Sequence, residues 1–251
     1  MDDKSKINGL IIKSVYVVII VLIIAVIALL ILKYEVEGEQ NMPFNLSSIL
    51  VISSAEGYQD VENEEYKWDA HIYQNNDIYI NIEKNKNYKE TEIIKSVSIE
   101  NIQIEKNPIV GNIEFYRMSD EENELFSYKE EYIITNSSVE YEGNIESDLK
   151  NLKISNQGGT IIIRAVNKTG KNYLSNENEF EHSGKLLNKV GLTQEEVEAQ
   201  ISFDLVIKLE SNISFKAKIE LELPTGNIIE EGASNKEIKD TKYIIFKREQ
   251  A

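Results

Sequence analysis

Tyr66, Trp68, Tyr73 and Tyr79 fall within fourteen consecutive positions. Rings of this kind, apolar on the face and polar at the edge, stack on sugars and on protein surfaces. Aromatic side chains also pack pleated sheets, so the four mark a candidate ligand surface and nothing more specific. Two acidic runs, Asp60, Glu62, Glu64, Glu65 and Asp120, Glu121, Glu122, Glu124, offer the carboxylate oxygens that Ca²⁺ prefers. Neither has the Asp-x-Asp-x-Asp-Gly framework of a dedicated loop, so both read first as solvated loops and Ca²⁺ is the weaker expectation.

The missing chemistry narrows the field. Cysteine is absent, which removes disulfides, thiolate-bound zinc and a cysteine nucleophile. His71 and His182 stand far apart, with no spacing that gathers a metal ligand set, and no Gly-x-Ser-x-Gly elbow accompanies them. Glycoside hydrolysis needs two carboxyl groups about 5–10 Å apart across a cleft, and among 43 acidic residues the sequence marks out no pair. Leu223-Pro224-Thr225-Gly226 resembles the sorting signal of wall-anchored surface proteins. It lacks the variable residue between Pro and Thr and any hydrophobic segment with a basic tail after it, and reads as a turn.

What positions such residues begins with an anchor. Residues 15–32 read VYVVIIVLIIAVIALLIL, without charge, Pro or Gly. At 1.5 Å per residue about 18 residues approach the roughly 30 Å of a bilayer core. The run is longer than a signal-peptide core and passes straight into Lys33-Tyr34-Glu35, so an uncleaved signal anchor is expected. Lys4, Lys6 and Lys13 precede it, whereas Lys33 alone follows before Glu35, Glu37 and Glu39. The positive-inside bias therefore places residues 1–14 in the cytoplasm and the C-terminal part outside the cell membrane. Residues 33–45 read as a polar tether.

Residues 1–33 carry four Lys against two Asp, a net of +2, so with −16 overall the remainder carries −16 − 2 = −18. A domain that acidic repels phosphate backbones, and nucleic acid is excluded as a partner. Heavy use of Ile, Asn, Lys and Glu resembles the output of an AT-rich genome, such as that of a low-GC Gram-positive bacterium.

Beyond the tether the pattern is of strands. Ile49-Leu50-Val51-Ile52 is a short apolar run, Trp68, Ala70, Ile72 and then Ile78, Ile80, Ile82 alternate with polar neighbours, and Asn75-Asn76-Asp77 between the latter two reads as a hairpin turn. Val97, Ile99, Ile102 and Ile104 keep a period of two except for a slip at Glu100-Asn101, the signature of a β-bulge. Further strands are expected at Ile113–Tyr116, Tyr132–Ile134, Val139–Tyr141 and Tyr243–Phe246. Gly159–Val166, apolar on both faces, is placed centrally in a sheet. Ile201–Leu209 and Ile213–Leu223 alternate strictly about Ser211-Asn212 and form the clearest hairpin. One short helical segment is expected, from Leu186, Leu187 and Val190 and the capping box Thr193-Gln194-Glu195-Glu196.

The fold expected is mainly β: a single transmembrane helix, then an antiparallel, jelly-roll-like β-sandwich over residues 46–251, as one domain or as two divided near residue 150. The function expected is a non-catalytic, membrane-anchored envelope module that binds a protein or a wall polymer. The competing expectation is an anchored wall or glycan hydrolase working with a carboxylate pair.

Overall fold

The computed structural model describes residues 13, 15–30, 41–59 and 65–250, the last in its backbone only. Residues 15–30 form a helix, α1, exposed at every position. No helix among the described residues is long and apolar enough to cross a membrane. The expected span ends at Ile31 and Leu32, which lie outside the described residues, as do most of the expected stub and residues 33–40 of the tether.

The rest is mainly β, two sheets packed as a sandwich. Its strands are β1 (Phe44–Tyr58), β2 (Trp68–Lys84), β3 (Ile94–Lys106), β4 (Asn112–Tyr116), β5 (Val139–Asn144), β6 (Lys153–Ser155), β7 (Gly158–Ser175), β8 (Ala199–Leu209), β9 (Ile213–Leu223), β10 (Ser234–Ile238) and β11 (Lys247–Gln250). Strand order is β10-β1-β2-β7-β4 in one sheet and β11-β9-β8-β3-β5-β6 in the other. Both sheets draw strands from either side of residue 150. All pairings are antiparallel except β5 with β6, which run parallel. The expected tether gives up Phe44 and Asn45 to β1.

The β8–β9 hairpin pairs Ala199 with Leu223 through to Lys208 with Ser214, and Asn212 turns the chain at φ 62°. The slip at Glu100-Asn101 is a bulge, with Asn101 at φ 51° and the β3–β8 register shifting there. Two short helices, α2 (Lys185–Lys189) and α3 (Gln194–Val197), follow β7, and Thr193 and Glu196 complete the capping box of α3. A third, α4 (Ile228–Glu231), lies after the Pro224 turn, and neither it nor β10 stands out in the sequence.

Three expectations need correction. Asn75-Asn76-Asp77 is not a turn: β2 runs through it unbroken, paired with β1 from Tyr58↔His71 to Phe44↔Lys84 and with β7 along its other edge. Tyr132 ends a 3₁₀ turn and only Ile133 bridges to Tyr116, so no strand forms there. The last strand begins at Lys247, after Tyr243–Phe246 has crossed the end of the sandwich irregularly.

The β2 register explains how polar residues survive mid-strand. On the inner face, Val51, Ile78 and Ile163 sit in one cross-strand row and belong to the main core between the sheets. Four to six residues along, Ala55 and Ile72 belong to a second core, closed by Leu186, Leu187 and Leu192 of the α2 region, Val197 of α3 and Ile228 and Ile229 of α4. Between the cores lies a buried polar row: Ser53, Asn76, Gln74, Asn167 and Thr169, each at most 4% exposed.

Every buried polar group there needs a partner. Asn167 Nδ2 donates to Gln74 Oε1 at 3.2 Å and to the Val110 carbonyl at 3.1 Å. Thr169 Oγ1 donates to the Ile72 carbonyl at 2.6 Å, and Thr225 N donates to Ser53 Oγ at 3.2 Å. Gly111, at φ +103°, passes so close that a Cβ there would meet Asn167 Oδ1 at 2.0 Å. Asn167→Ala removes the donor shared by the buried Gln74 amide oxygen and the half-buried Val110 carbonyl, and unfolding in urea is expected to show a loss of about 1–3 kcal/mol.

Candidate functional site

The same register that buries Gln74 and Asn76 turns their odd-numbered neighbours outward. Tyr73, Asn75, Asp77 and Tyr79 lie on the outer face of the five-stranded sheet, opposite Lys168, Val166, Arg164 and Ile162 of β7 respectively. Arg164 in turn faces Tyr116 of β4, and Val166 faces Glu114. Cross-strand neighbours on one face stand within about 5 Å at Cβ, so four strands assemble one continuous patch.

Two ionic groups order it. Arg164 grips Asp77 with both Nε (2.5 Å) and Nη2 (3.0 Å), in the bidentate geometry that makes such pairs strong. Its guanidinium also lies 4.3 Å from the centre of the Phe126 ring and 3.8 Å from Glu56. On the other side Lys168 Nζ meets Glu114 at 2.7 Å, and Tyr116 donates its hydroxyl to the same carboxylate at 2.6 Å. Lys168 stands 5.7 Å from both the Tyr73 and Tyr116 ring centres, within cation–π range.

Between these groups the aromatic rings pack together. Tyr58 of β1 stacks on Tyr73 at 5.7 Å and 15°. Tyr128, from the chain between β4 and β5, stands edge-on to Tyr58 at 5.2 Å, to Tyr73 at 4.9 Å and to Tyr116 at 5.7 Å. Its hydroxyl exchanges hydrogen bonds with the Asn75 amide at 2.9 and 3.1 Å. Beneath them Ile162, Val166, Met118, Phe126 and Tyr132 form a third small apolar cluster.

Burial and the network set the charges. Burial works against ionised Glu114, yet the hydrogen bonds from Lys168 and Tyr116 hold its carboxyl below the ordinary range. Lys168 is held protonated in the same way, its burial outweighed by Glu114 and Tyr116. Burial and then the bond to Glu114 push Tyr116 up to about 12. Tyr79 is also raised, by burial first and then by Asp77. The patch therefore presents half-buried rings and compensated charges near neutral pH.

The four aromatic residues singled out in the sequence do not form one surface. Tyr73 and Tyr79 belong to the patch. Trp68 lies at the far end of the sheet, where its indole N–H donates to the Glu177 carbonyl at 3.0 Å and its ring packs on Phe180 at 4.9 Å. Phe180 also meets Tyr173 and His182. Tyr66 is half-buried just ahead of β2. Tyr58, Tyr116, Tyr128, Glu114 and Lys168 escaped sequence reasoning because β1, β4, β7 and an irregular segment bring them together.

Of the remaining candidates, His71 is exposed beside Asn172, 2.7 Å away. Residues 60–64 of the first acidic run lie outside the described residues. In the second run, Asp120 accepts from the Tyr132 hydroxyl and Glu121 pairs with Lys129. Among the described residues no three His, Cys, Asp or Glu side chains converge to hold a metal ion. Comparison with protein-family models, with curated proteins and with solved structures finds no match.

Glu114 carries a pH signature. Its folded value is depressed below the unfolded value near 4.3, so the stability it contributes is present above that value and is lost as pH falls through its folded value. Glu114→Gln is expected to be less stable than the parent at pH 7. The gap should narrow as acid protonates the parent, read as converging urea midpoints toward pH 3.

Proposed function

We propose that this chain is a membrane-anchored, non-catalytic module of a bacterial envelope, with its β-sandwich outside the cell, and that the Tyr58–Tyr73–Tyr128 patch binds a neutral wall polysaccharide. The patch carries this reading. Its rings are half-buried and held edge and face against one another, and its charges are compensated by Lys168 and Arg164, so a sugar ring can be stacked without stranding an ion. Glu105, Glu114, Asp120, Asp148 and Glu196, the carboxyl groups of the described residues whose pKa is displaced, are all held below the ordinary carboxylate range. That suits a binding surface better than general acid catalysis, which wants a raised value.

The anchor reading is supported by α1. A helix apolar on every side has no face to give to water, and exposing it costs on the order of 1.5–3 kcal/mol per large aliphatic side chain relative to burial. The apolar sequence continues through Leu32, and the lysines ahead of it favour a cytoplasmic N-terminus.

The test is co-sedimentation of the full chain in detergent with purified wall polysaccharide. Binding is expected, and Tyr58→Ala with Tyr73→Ala should weaken it about tenfold, the order of one aromatic stacking contact, with retained far-ultraviolet circular dichroism. No binding by the parent, or equal binding by the folded variant, would refute the polymer assignment.

A further inference from the structure

Charge is unevenly distributed along this chain. The chain enters the sandwich at Met42–Phe44, where Asn85 clamps it: Asn85 N donates to the Pro43 carbonyl at 2.8 Å and Asn85 Nδ2 to the Met42 carbonyl at 2.9 Å. The segment between β10 and β11 packs against the same end, with Thr241 Oγ1 donating to the Leu46 carbonyl at 2.7 Å. A groove runs between them, lined by Asn45, Glu83, Lys84, Lys239, Lys242 and Ile245 among others.

This end is basic in an acidic protein. Residues 83–90 and 239–249 hold seven Lys or Arg (84, 86, 89, 239, 242, 247, 248) against four acids (83, 90, 240, 249), a net of +3. Glu35, Glu37 and Glu39 of the tether carry −3, so residues 44–251 carry −18 + 3 = −15 and, outside the basic segments, −15 − 3 = −18. Lys84, Lys86, Lys89, Lys239 and Lys242 are all exposed. Lys239 meets Glu237 at 3.0 Å, a solvent-facing pair of small worth. Beside them Tyr243 and Ile245 stand 65% and 49% exposed, an aromatic and an aliphatic side chain with no core to enter.

We infer that this basic end seats on anionic lipid headgroups, holding the sandwich upright on its own membrane. The inference rests on the anchored reading above. Only the eleven residues 33–43 separate the apolar run from β1, which cannot span more than about 40 Å even at full extension, so this end is the one delivered to the headgroups. Tethering at such range gives an effective concentration in the millimolar regime, where a few weak contacts suffice. Headgroup phosphates attract each nearby Lys, and the field decays within about 8 Å in physiological salt. The lysines at the base therefore feel it, while the −18 remainder of the sandwich is pushed outward. Tyr243 and Ile245 fit the interfacial belt where amphipathic and apolar side chains settle. Since β1 extends its 15 residues, about 50 Å, away from this end, seating it would hold Tyr58 and Trp68 clear of the bilayer.

The absence of cysteine makes the test direct. The full chain carrying Tyr243→Cys, or as a control Leu174→Cys at the far end of β7, is labelled with a fluorophore. Each is reconstituted into vesicles of phosphatidylcholine alone or mixed with phosphatidylglycerol, containing a headgroup-attached quencher. Quenching at 243 should exceed that at 174 on the anionic vesicles and fall to the control level on the zwitterionic ones. Neutralising Lys239 and Lys242 together to Gln should lower the docked-to-free ratio roughly thirtyfold, about fivefold per lysine. Equal quenching at the two positions on anionic vesicles, in a chain that floats with them, overturns the seating alone. Equal quenching at 243 on both vesicle types overturns the anionic recognition. Failure to float with either overturns the anchored reading and the seating with it.

Discussion

Everything in this sandwich depends on β2 running unbroken between β1 and β7. The hydrogen-bonded ladder spans the Asn75-Asn76-Asp77 stretch without a turn, and because side chains alternate at period two, the continuity assigns each polar residue there to a face. Gln74 and Asn76 go inward to the seam between the two cores, and Tyr73, Asn75 and Asp77 go outward to the patch. A one-residue slip would exchange the two sets. It would put Asp77 against Val51 and Ile163 and strand Arg164 without its carboxylate.

The inner and outer faces solve different problems with the same residue types. Inside, amides and hydroxyls join two apolar cores that would otherwise meet across strands too long for the partner sheet to cover. Each unpaired group there forfeits its hydration; Asn167 donates both amide hydrogens, to Gln74 and Val110, while its own Oδ1 and that of Asn76 stay buried without a partner. Outside, the charges stay partly wet, and Lys168, paired with Glu114, lies within cation–π range of the Tyr73 and Tyr116 rings, while Arg164, paired with Asp77, lies over Phe126. Tyr141, buried at the sheet interface, ties the two layers by donating its hydroxyl to the Ile162 carbonyl.

Strict alternation was readable without a structure. The β8–β9 hairpin, the β3 bulge and the α3 capping box all follow from local rules, because each is decided by residues within a few positions. The Asn75–Asp77 stretch misled for a physical reason: side chains suited to a turn are the same ones that satisfy buried hydrogen bonds, and only Tyr128, Ala165 and Arg164, up to 89 residues away, decide which. The patch was half visible. Tyr73 and Tyr79 alternate on β2, but Tyr58, Tyr116 and Tyr128 join them through cross-strand register and an irregular segment that carry no local signature. Trp68, grouped with them by proximity in sequence, lies beyond the shift between His71 and Tyr73 and packs with Phe180 instead.

The continuity of β2 is open to direct measurement by residue-resolved hydrogen exchange on the folded chain. If Gln74 through Asp77 lie within a doubly flanked ladder, their hydrogen-bonded amides exchange as slowly as those of Ile78 and Ile80, through cooperative opening of the sheet. Exchange across this stretch at the fast rate of exposed turns, with Ile78 and Ile80 still protected, would contradict the ladder, and with it the seam and the patch.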